Sequence, residues 1–441
     1  MLRLSFLALA LLMVAGPVAA QEQIAQPDSA PPAQNLELGL QLMARGEIRR
    51  GGLPQVDGES RDKANFIFER TRLSVDYGYK WFQARAAVQH SGVWGQKGGG
   101  ALSMYETWAK MTAPCGFFAQ LGRMELSYDD ERILGSNDWA MTPFTHDAVR
   151  LGYEGHGHKI HAIATYNQKA ENTGGGTTYR SNEGAYPHKT QQTLWYHYDL
   201  QRIPLSFSVL AMNVGVEPMD EPEPKIRYQQ LFGGYVTFTP PRWKAEAAYY
   251  HQTGRDEFNT PISAFMAAAK VTFTPSARGS VSLGYDYLSG DDNPVVPHLG
   301  TMGMARHDKV RGFCTIYGSH HKFYGAMDFF YFSAFYGGYT PGLQSLYVDG
   351  RICPVKNLEL KAQYNYLAVA SKIHEASRTL GHEMELSASY KFLKFIKVSA
   401  GYTYMHGSST LERLQRVEGK NKLHWGWLML SVTPRIFSKK W

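Results

Sequence analysis

The sequence predicts an all-β protein that forms a single antiparallel transmembrane β-barrel of about 18 strands. Segments of alternating apolar and polar residues recur along most of the chain, and short connections alternate with long ones. The stretch from Phe117 to Tyr153 shows both features, because two alternating segments flank a long charged connection. Short periplasmic turns and longer extracellular loops are typical of barrels in the bacterial outer membrane.

The N-terminus has the features of a secretory signal peptide. Arg3 precedes an apolar run from Leu4 to Ala15, and the small residues Val18-Ala19-Ala20 offer a cleavage site. A retained membrane anchor is less favoured, because the run is shorter than the roughly 20 residues that a spanning helix needs. We therefore expect a signal peptide over residues 1–20, a flexible proline-rich linker over residues 21–34 and the barrel over residues 35–441.

The second predicted strand indicates which face of the wall meets water. Leu73 and Val75 lie on one face of this strand, and Arg70, Arg72 and Asp76 lie on the other. A packed core would exclude these charged groups, whereas an aqueous lumen accommodates them. We therefore expect the apolar face to contact lipid and the charged face to contact the lumen.

The same reasoning applied along the chain yields an even number of strands, which places both termini on the periplasmic side. In order, the predicted strands cover residues 36–42, 65–79, 81–94, 101–111, 116–126, 148–154, 159–167, 191–199, 205–213, 228–238, 243–252, 265–273, 280–288, 343–352, 358–368, 383–390, 396–404 and 424–432.

The longest connection, residues 290–341, has two interpretations. Its segment from Arg311 to Tyr339 is too apolar and aromatic for a solvated loop. The favoured interpretation is a loop that folds inward and narrows the lumen as a constriction or plug. The alternative is two further strands, since aromatic residues and glycine suit either structure. Four residues are the predicted polar contacts of the constriction: His320, His321, Lys322 and Asp328.

The predicted lumen face carries both signs of charge along the whole chain. Its basic residues are Arg70, Arg72, Arg85, Lys110, Arg150, Lys244, Lys270, Arg351, Lys361 and Lys397. Its acidic residues are Asp76, Glu106, Glu246, Asp286, Asp349, Glu359, Glu383 and Glu385. Arg123 lies on the same outward strand face as Leu121, where lipid would disfavour a charge. We therefore expect Arg123 at the rim of the barrel or after a bulge.

One segment carries a resemblance to a known family. The stretch LGRMELSYDDERILGSNDWAMTPFTHDAVRLGY, from Leu121 to Tyr153, resembles the signature hairpin of the alginate-export family of outer-membrane porins. Weaker similarities are ERTRLSVDYGYKWFQARAAVQHSGVWG, SLGYDYLSGDD and SHHKFYGAMDFFY. The resemblance implies an 18-stranded barrel that passes an anionic sugar polymer through a basic lumen, with loops that restrict its ends.

Three kinds of cluster raise the possibility of chemistry, and each has a simpler interpretation. His156, His158 and His161 have a spacing that could suit a metal site. The simpler interpretation is that His156 and His158 are solvated residues of a short turn and that His161 faces the lumen. The acidic runs Asp129-Asp130-Glu131 and Asp291-Asp292 could bind Ca²⁺ but also suit ordinary charged loops. Ser319-His320 beside Asp328 could form a hydrolytic trio only if the fold brought them together. We expect no bound metal, no cofactor and no catalytic residue.

Two functional classes therefore remain. The favoured one is an outer-membrane porin that passes a polar, anionic solute or a polysaccharide. The alternative is an outer-membrane barrel hydrolase that acts at the outer leaflet. The net charge of +7 favours membrane lipid, lipopolysaccharide or an anionic solute as partners. A nucleic acid is not expected, because no basic block with interleaved aromatic residues is present.

Overall fold

The computed structural model describes residues 34–51, 63–169, 171, 173–174, 179, 188–218, 225–291, 308–328, 330, 340–373, 376–415, 419 and 421–441. The predicted signal peptide and all but the last residue of the predicted linker lie outside these ranges. Among the described residues, no helix is both long and apolar enough to cross a membrane.

One antiparallel sheet contains every strand of the described chain. Its strands are β1 (Gln34–Arg50), β2 (Lys63–Tyr79), β3 (Phe82–Val93), β4 (Ala101–Thr112), β5 (Phe117–Met124), β6 (His146–Gly155), β7 (His158–Tyr166), β8 (Thr190–Asp199), β9 (Leu205–Val216), β10 (Arg227–Phe238), β11 (Trp243–Arg255), β12 (Pro261–Ser276), β13 (Gly279–Leu288), β14 (Leu343–Ile352), β15 (Leu358–Ala368), β16 (Thr379–Leu393), β17 (Ile396–Gly407), β18 (Lys422–Val432) and β19 (Arg435–Lys440). Each strand pairs with its neighbour in the sequence from β1 to β18.

The sheet closes where its two ends meet on β1. Leu42 lies opposite Val432 of β18, and Asn35 lies opposite Lys440 of β19. Strand β19 therefore continues β18 along the same edge of β1, after a break at Thr433-Pro434. Proline has no N–H to donate to the sheet, which accounts for the break. The prediction of an 18-stranded closed barrel is confirmed, although β19 was not predicted.

The outer surface of the barrel is apolar. Leu73, Leu121 and Leu428 are exposed although they lie in regular strands. Residues on the opposite strand faces, such as Arg70 and Trp425, are fully buried. An apolar exterior around a polar interior is the arrangement that a bilayer requires of a barrel.

Two long connections and one short helix fill part of the interior. The helix α1 (Ser409–Gln415) lies between β17 and β18 and buries Leu411 and Leu414. The main buried cluster combines residues of the wall, such as Trp425, with residues of the connections, such as Leu134 and Phe313. The interior is therefore partly a packed core and not only an open channel.

Candidate functional site

Two connections fold into the lumen and pack against each other. Loop A is the connection between β5 and β6, residues 125–145, and loop B is residues 308–328 of the connection between β13 and β14. Leu134 forms a parallel β-bridge with Tyr317. The Ser319 amide of loop B donates to the Glu131 carbonyl of loop A over 2.8 Å. Lys322 of loop B also pairs with the Glu131 carboxylate.

Arginines of the wall hold loop A. The Arg70 guanidinium on β2 is completely buried and donates to the carbonyls of Asp138 and Ala140 at 3.0 and 2.8 Å. It also donates to the Asp138 carboxylate at 2.9 Å. On β1, Arg45 lies 3.6 Å from the ring centroid of Trp139 and donates to its carbonyl at 3.0 Å. Charged hydrogen bonds of this kind are stronger than neutral ones.

A carboxylate of the wall holds loop B. Glu383 on β16 accepts hydrogen bonds from the amides of Ala326 and Met327 at 2.7 and 3.2 Å. Gly325 has φ +92°, and a Cβ there would lie 2.9 Å from the Glu383 carboxylate. The approach of loop B to the wall therefore requires glycine at this position.

An aromatic contact joins the two loops to the wall at the last strand. Trp139 of loop A stacks on His321 of loop B, with ring centroids 4.1 Å apart. His321 lies 2.9 Å from the Asp328 carboxylate. Trp425 and Trp427 of β18 meet Trp139 edge-on. These rings form a layer across part of the lumen.

Arg132 of loop A contacts groups of both loops and of the wall. Its guanidinium lies 2.7 Å from Asp130 and 3.0 Å from Asp286 on β13, and 4.1 Å from the ring centroid of Phe323. Burial alone would lower the pKa of Arg132, but the carboxylates of Asp286 and Asp130 raise it well above its ordinary value. Arg132 therefore stays charged and links loop A, loop B and the wall.

A cavity of about 260 Å³ lies beside Arg132. Its charged lining residues are Asp130, Arg132, Glu246, Lys270, Asp286 and Lys322. Its uncharged polar lining includes Tyr235, Tyr324, Tyr347, Gln363 and Asn365. In two ion pairs of this region the cation is the more exposed partner. Lys322 is 57% exposed and its partner Glu131 16%, and Lys244 is 44% exposed and its partner Glu246 18%.

The remaining predicted lumen cations lie on inward strand faces and contact polar or aromatic groups. Their closest described partners are Gln89 for Arg72, Glu106 and Asp76 for Arg85, the Phe118 ring for Lys110, Gln120 and Tyr128 for Arg150, Asp349 for Lys270, and Glu359 for both Arg351 and Lys361. Lys397 shares a strand face with the buried Ser399 and Thr403.

The residues predicted for the loop constriction point to different partners. His320 contacts the hydroxyl of Thr315 at 3.0 Å and is buried. Burial lowers the pKa of His320 from 6.5 to about 4. Lys322 contacts Glu131, and His321 pairs with Asp328. In the described residues 308–328, loop B forms one 3₁₀ turn, His320–Lys322, and no strand.

The alternative chemistries find no support in the described residues. The described hydrogen bond of Asp328 is to His321 and that of His320 is to the Thr315 hydroxyl, while the Ser319 hydroxyl accepts from the Asn137 amide. His158 and His161 lie on opposite faces of β7, at Tyr196 and Tyr128 respectively. No group of three metal-ligating side chains occurs among the residues that the structure describes. In the first acidic run, Asp129 accepts from Trp195, Asp130 pairs with Arg132 and Glu131 pairs with Lys322.

The outward ion pair of Arg123 lies at the rim. Its guanidinium contacts the Asp147 carboxylate at 2.7 Å near the end of β5. Four residues that make interior contacts were not predicted: Arg45, Glu47, Arg132 and Trp139. Glu47 lies 2.8 Å from Arg45 and accepts a hydrogen bond from the Trp425 indole at 2.9 Å. The alternation of side chains on β1 could have identified Arg45 and Glu47, because both lie on the same inward face of the strand as the buried Met43.

Comparison with solved structures identifies barrels of the same fold. Pseudomonas aeruginosa OpdL superposes with a TM-score of 0.61 at 13% identity, covering 91% of this chain and 99% of that one. A BenF-like porin from Pseudomonas fluorescens Pf-5 superposes with a TM-score of 0.59 at 13% identity, covering 91% and 99%. Acinetobacter baumannii OccAB1 superposes with a TM-score of 0.59 at 10% identity, covering 91% and 97%.

No family profile and no curated protein sequence matches the chain. The structural comparisons support the porin class of fold and lend no support to the alginate-export family, which stays a prediction from residues 121–153. At such low sequence identity the likeness concerns the fold. The chain therefore has the barrel fold of the BenF-like porin.

Proposed function

We propose that the protein is an outer-membrane channel that passes a small, polar, anionic solute through the space left by loops A and B. The supporting features are the closed barrel, its apolar exterior and its charged interior. A barrel with these surfaces is stable in a bilayer and leaves a polar route across it. Passage of a long polysaccharide would require displacement of the loop contacts at Arg70, Arg132 and Glu383.

One observation carries the preference for an anion. On the wall formed by β11 to β15, the cation of each described pair is more exposed than its acidic partner, as at Lys244, Lys270, Arg351 and Lys361. The lumen surface there presents positive charge, although the pairs are formally balanced. The exposure is reversed beside β2, where Asp138 of loop A is 53% exposed and its wall partner Arg70 is fully buried. We infer that an anion follows the wall from β11 to β15.

Single-channel recording tests the proposal. The refolded protein in a planar bilayer should show discrete conductance, and the reversal potential under a salt gradient should indicate anion preference. The triple variant K244Q/K270Q/K361Q should lose much of that preference. The matched control, R50Q/K63Q/K422Q, removes the same charge from outward positions and should retain it.

Each contrary outcome has a distinct meaning. The absence of conductance in correctly refolded protein would overturn the channel and favour the barrel hydrolase. Conductance with an unchanged anion preference in K244Q/K270Q/K361Q would keep the channel and reject the proposed anion route.

A further inference from the structure

A basic patch lies on the outer surface at the long-loop end of the barrel, over the seam where β1 meets β18. In register, His382 lies opposite His406, and His406 lies opposite Lys422. Arg50 lies opposite both His424 and Lys63. These six side chains form what we call the seam patch: Arg50, Lys63, His382, His406, Lys422 and His424.

The strand parity shows that the seam patch faces away from the lumen. On β1, Arg50 shares the face of the exposed Ile48, whereas Glu47 on the other face is buried. On β18, Lys422 and His424 share the face of the exposed Leu428, whereas Trp425 is buried. A solute inside the barrel therefore cannot reach these groups. They lie where the apolar exterior ends and the long loops begin.

The charges of the seam patch have no acidic partner among the residues that the structure describes. In the part of the chain that the structure describes, Arg50, Lys63 and Lys422 form no ion pair with a carboxylate. Arg123, another outward cation at this rim, does have such a partner, because it lies 2.7 Å from the Asp147 carboxylate.

Tyrosines orient two of the histidines. The hydroxyl of Tyr364 lies 2.6 Å from Nδ1 of His382, and the hydroxyl of Tyr402 lies 2.7 Å from Nδ1 of His424. With each hydroxyl as the donor, Nε2 carries the ring proton and remains available to an external acceptor. The patch thus offers oriented hydrogen-bond donors beside three lysine and arginine charges.

We propose that the seam patch binds the phosphate groups of lipopolysaccharide, the phosphorylated glycolipid of the outer leaflet. This inference rests on the proposed location in the outer membrane. A phosphate supplies charge and acceptor oxygens that complement the patch, and each basic residue near an anionic lipid surface strengthens binding. The acyl chains of the same lipid would lie against the apolar surface at Ile48 and Leu428.

Lipid binding to the refolded protein in detergent tests the inference by native mass spectrometry. The probes are diphosphoryl lipid A, monophosphoryl lipid A and an uncharged glycolipid. The wild-type protein should bind them in that order of decreasing affinity. The variant R50Q/K63Q/K422Q should bind diphosphoryl lipid A at least about tenfold more weakly. The control K80Q/K356Q/K394Q, which removes the same charge from the short turns, should bind like the wild type.

Three results would overturn the inference: equal affinity of the wild type for all three lipids, unchanged binding by the seam variant, or equal loss in the control. The comparison of lipids needs no variant, so it decides the question even if R50Q/K63Q/K422Q fails to refold. Conductance is measured on the same samples. A seam patch without lipid A affinity in a conducting protein rejects this inference alone, whereas a protein without conductance rejects the channel.

Discussion

The guanidinium of Arg70 and the carboxylate of Asp138 lie 2.9 Å apart and join the barrel wall to the loop that occupies its lumen. Arg70 is enclosed by this contact and by the carbonyls of Asp138 and Ala140. No part of the guanidinium is exposed to a passing solute, and all of these contacts are to loop A. The role of Arg70 is therefore to hold loop A in place.

Replacing Arg70 should release loop A and widen the lumen. The variant R70Q loses the charged hydrogen bonds to Asp138 and leaves two carbonyls without their donor, a cost of about 1–3 kcal/mol per unsatisfied group. We expect higher single-channel conductance with more frequent current fluctuations. The control R123Q removes an exposed rim pair worth about 0–1 kcal/mol and should conduct like the wild type. An R70Q channel with wild-type conductance and noise would contradict the role of Arg70.

The buried pair of Arg132 and Asp286 should show strong energetic coupling. Removing Arg132 alone, as in R132M, leaves Asp286 buried without its cation and should lower the free energy of unfolding by roughly 3–5 kcal/mol. The double variant R132M/D286N should recover part of that loss, because no unpaired charge remains at Asp286. Urea unfolding of the four proteins in a double-mutant cycle measures the coupling. Additive effects of the two substitutions would contradict the contact.

The packing of loop B should weaken as the pH falls. Burial lowers the pKa of His320 to about 4 from an ordinary value of 6.5, so the packed loop holds it neutral while a released loop would bind a proton. Above pH 6.5 His320 is neutral in both the packed and the released loop, and packing carries no protonation cost. As the pH falls towards 4, the released loop binds a proton and the packed loop loses stability relative to it. The change is on the order of 3 kcal/mol. Because weaker packing of loop B opens the lumen, conductance should rise as the pH is lowered from 7 to 4.

The variant H320Q should show a smaller rise in conductance over this range. Some rise in conductance should persist in H320Q, because burial also lowers the pKa of His188 to about 3. Protonation of His188 at low pH therefore also weakens the packing of the interior. The control H156Q changes an exposed turn histidine and should behave like the wild type. An identical pH response in H320Q and the wild type would show that His320 does not govern the packing of loop B.

The orientation of the barrel can be tested with a natural cysteine. Cys115 is exposed in the short turn between β4 and β5, which we expect to face the periplasm. In the variant C314S/C353S, a large polymer-linked maleimide should modify Cys115 only after the outer membrane is permeabilised. Modification on intact cells would place the short turns outside and reverse the proposed topology.

The strands were predictable because their faces meet two different environments. Leu73 contacts the lipid side and Arg72 the interior, so the sequence alternates between apolar and polar residues with the period of a strand. The missed segment β19 lacks this signal, since Pro434 interrupts the pattern and every residue from Arg435 to Lys440 is exposed. The loop contacts were not predictable in the same way, because loops have no fixed periodicity.

The sequence pattern was sufficient to predict the barrel and the order of its 18 main strands. The alternation of side chains sets which face of each strand meets lipid, and the alternation of short and long connections sets how the strands join. The way in which the loops occupy the interior could not be read from that pattern, because it depends on contacts between distant residues. Arg70 meets Asp138, Arg132 meets Asp286 and Glu383 meets Ala326 across long separations in the chain. Such contacts depend on the closure of the barrel, which brings distant strands around the same enclosed space.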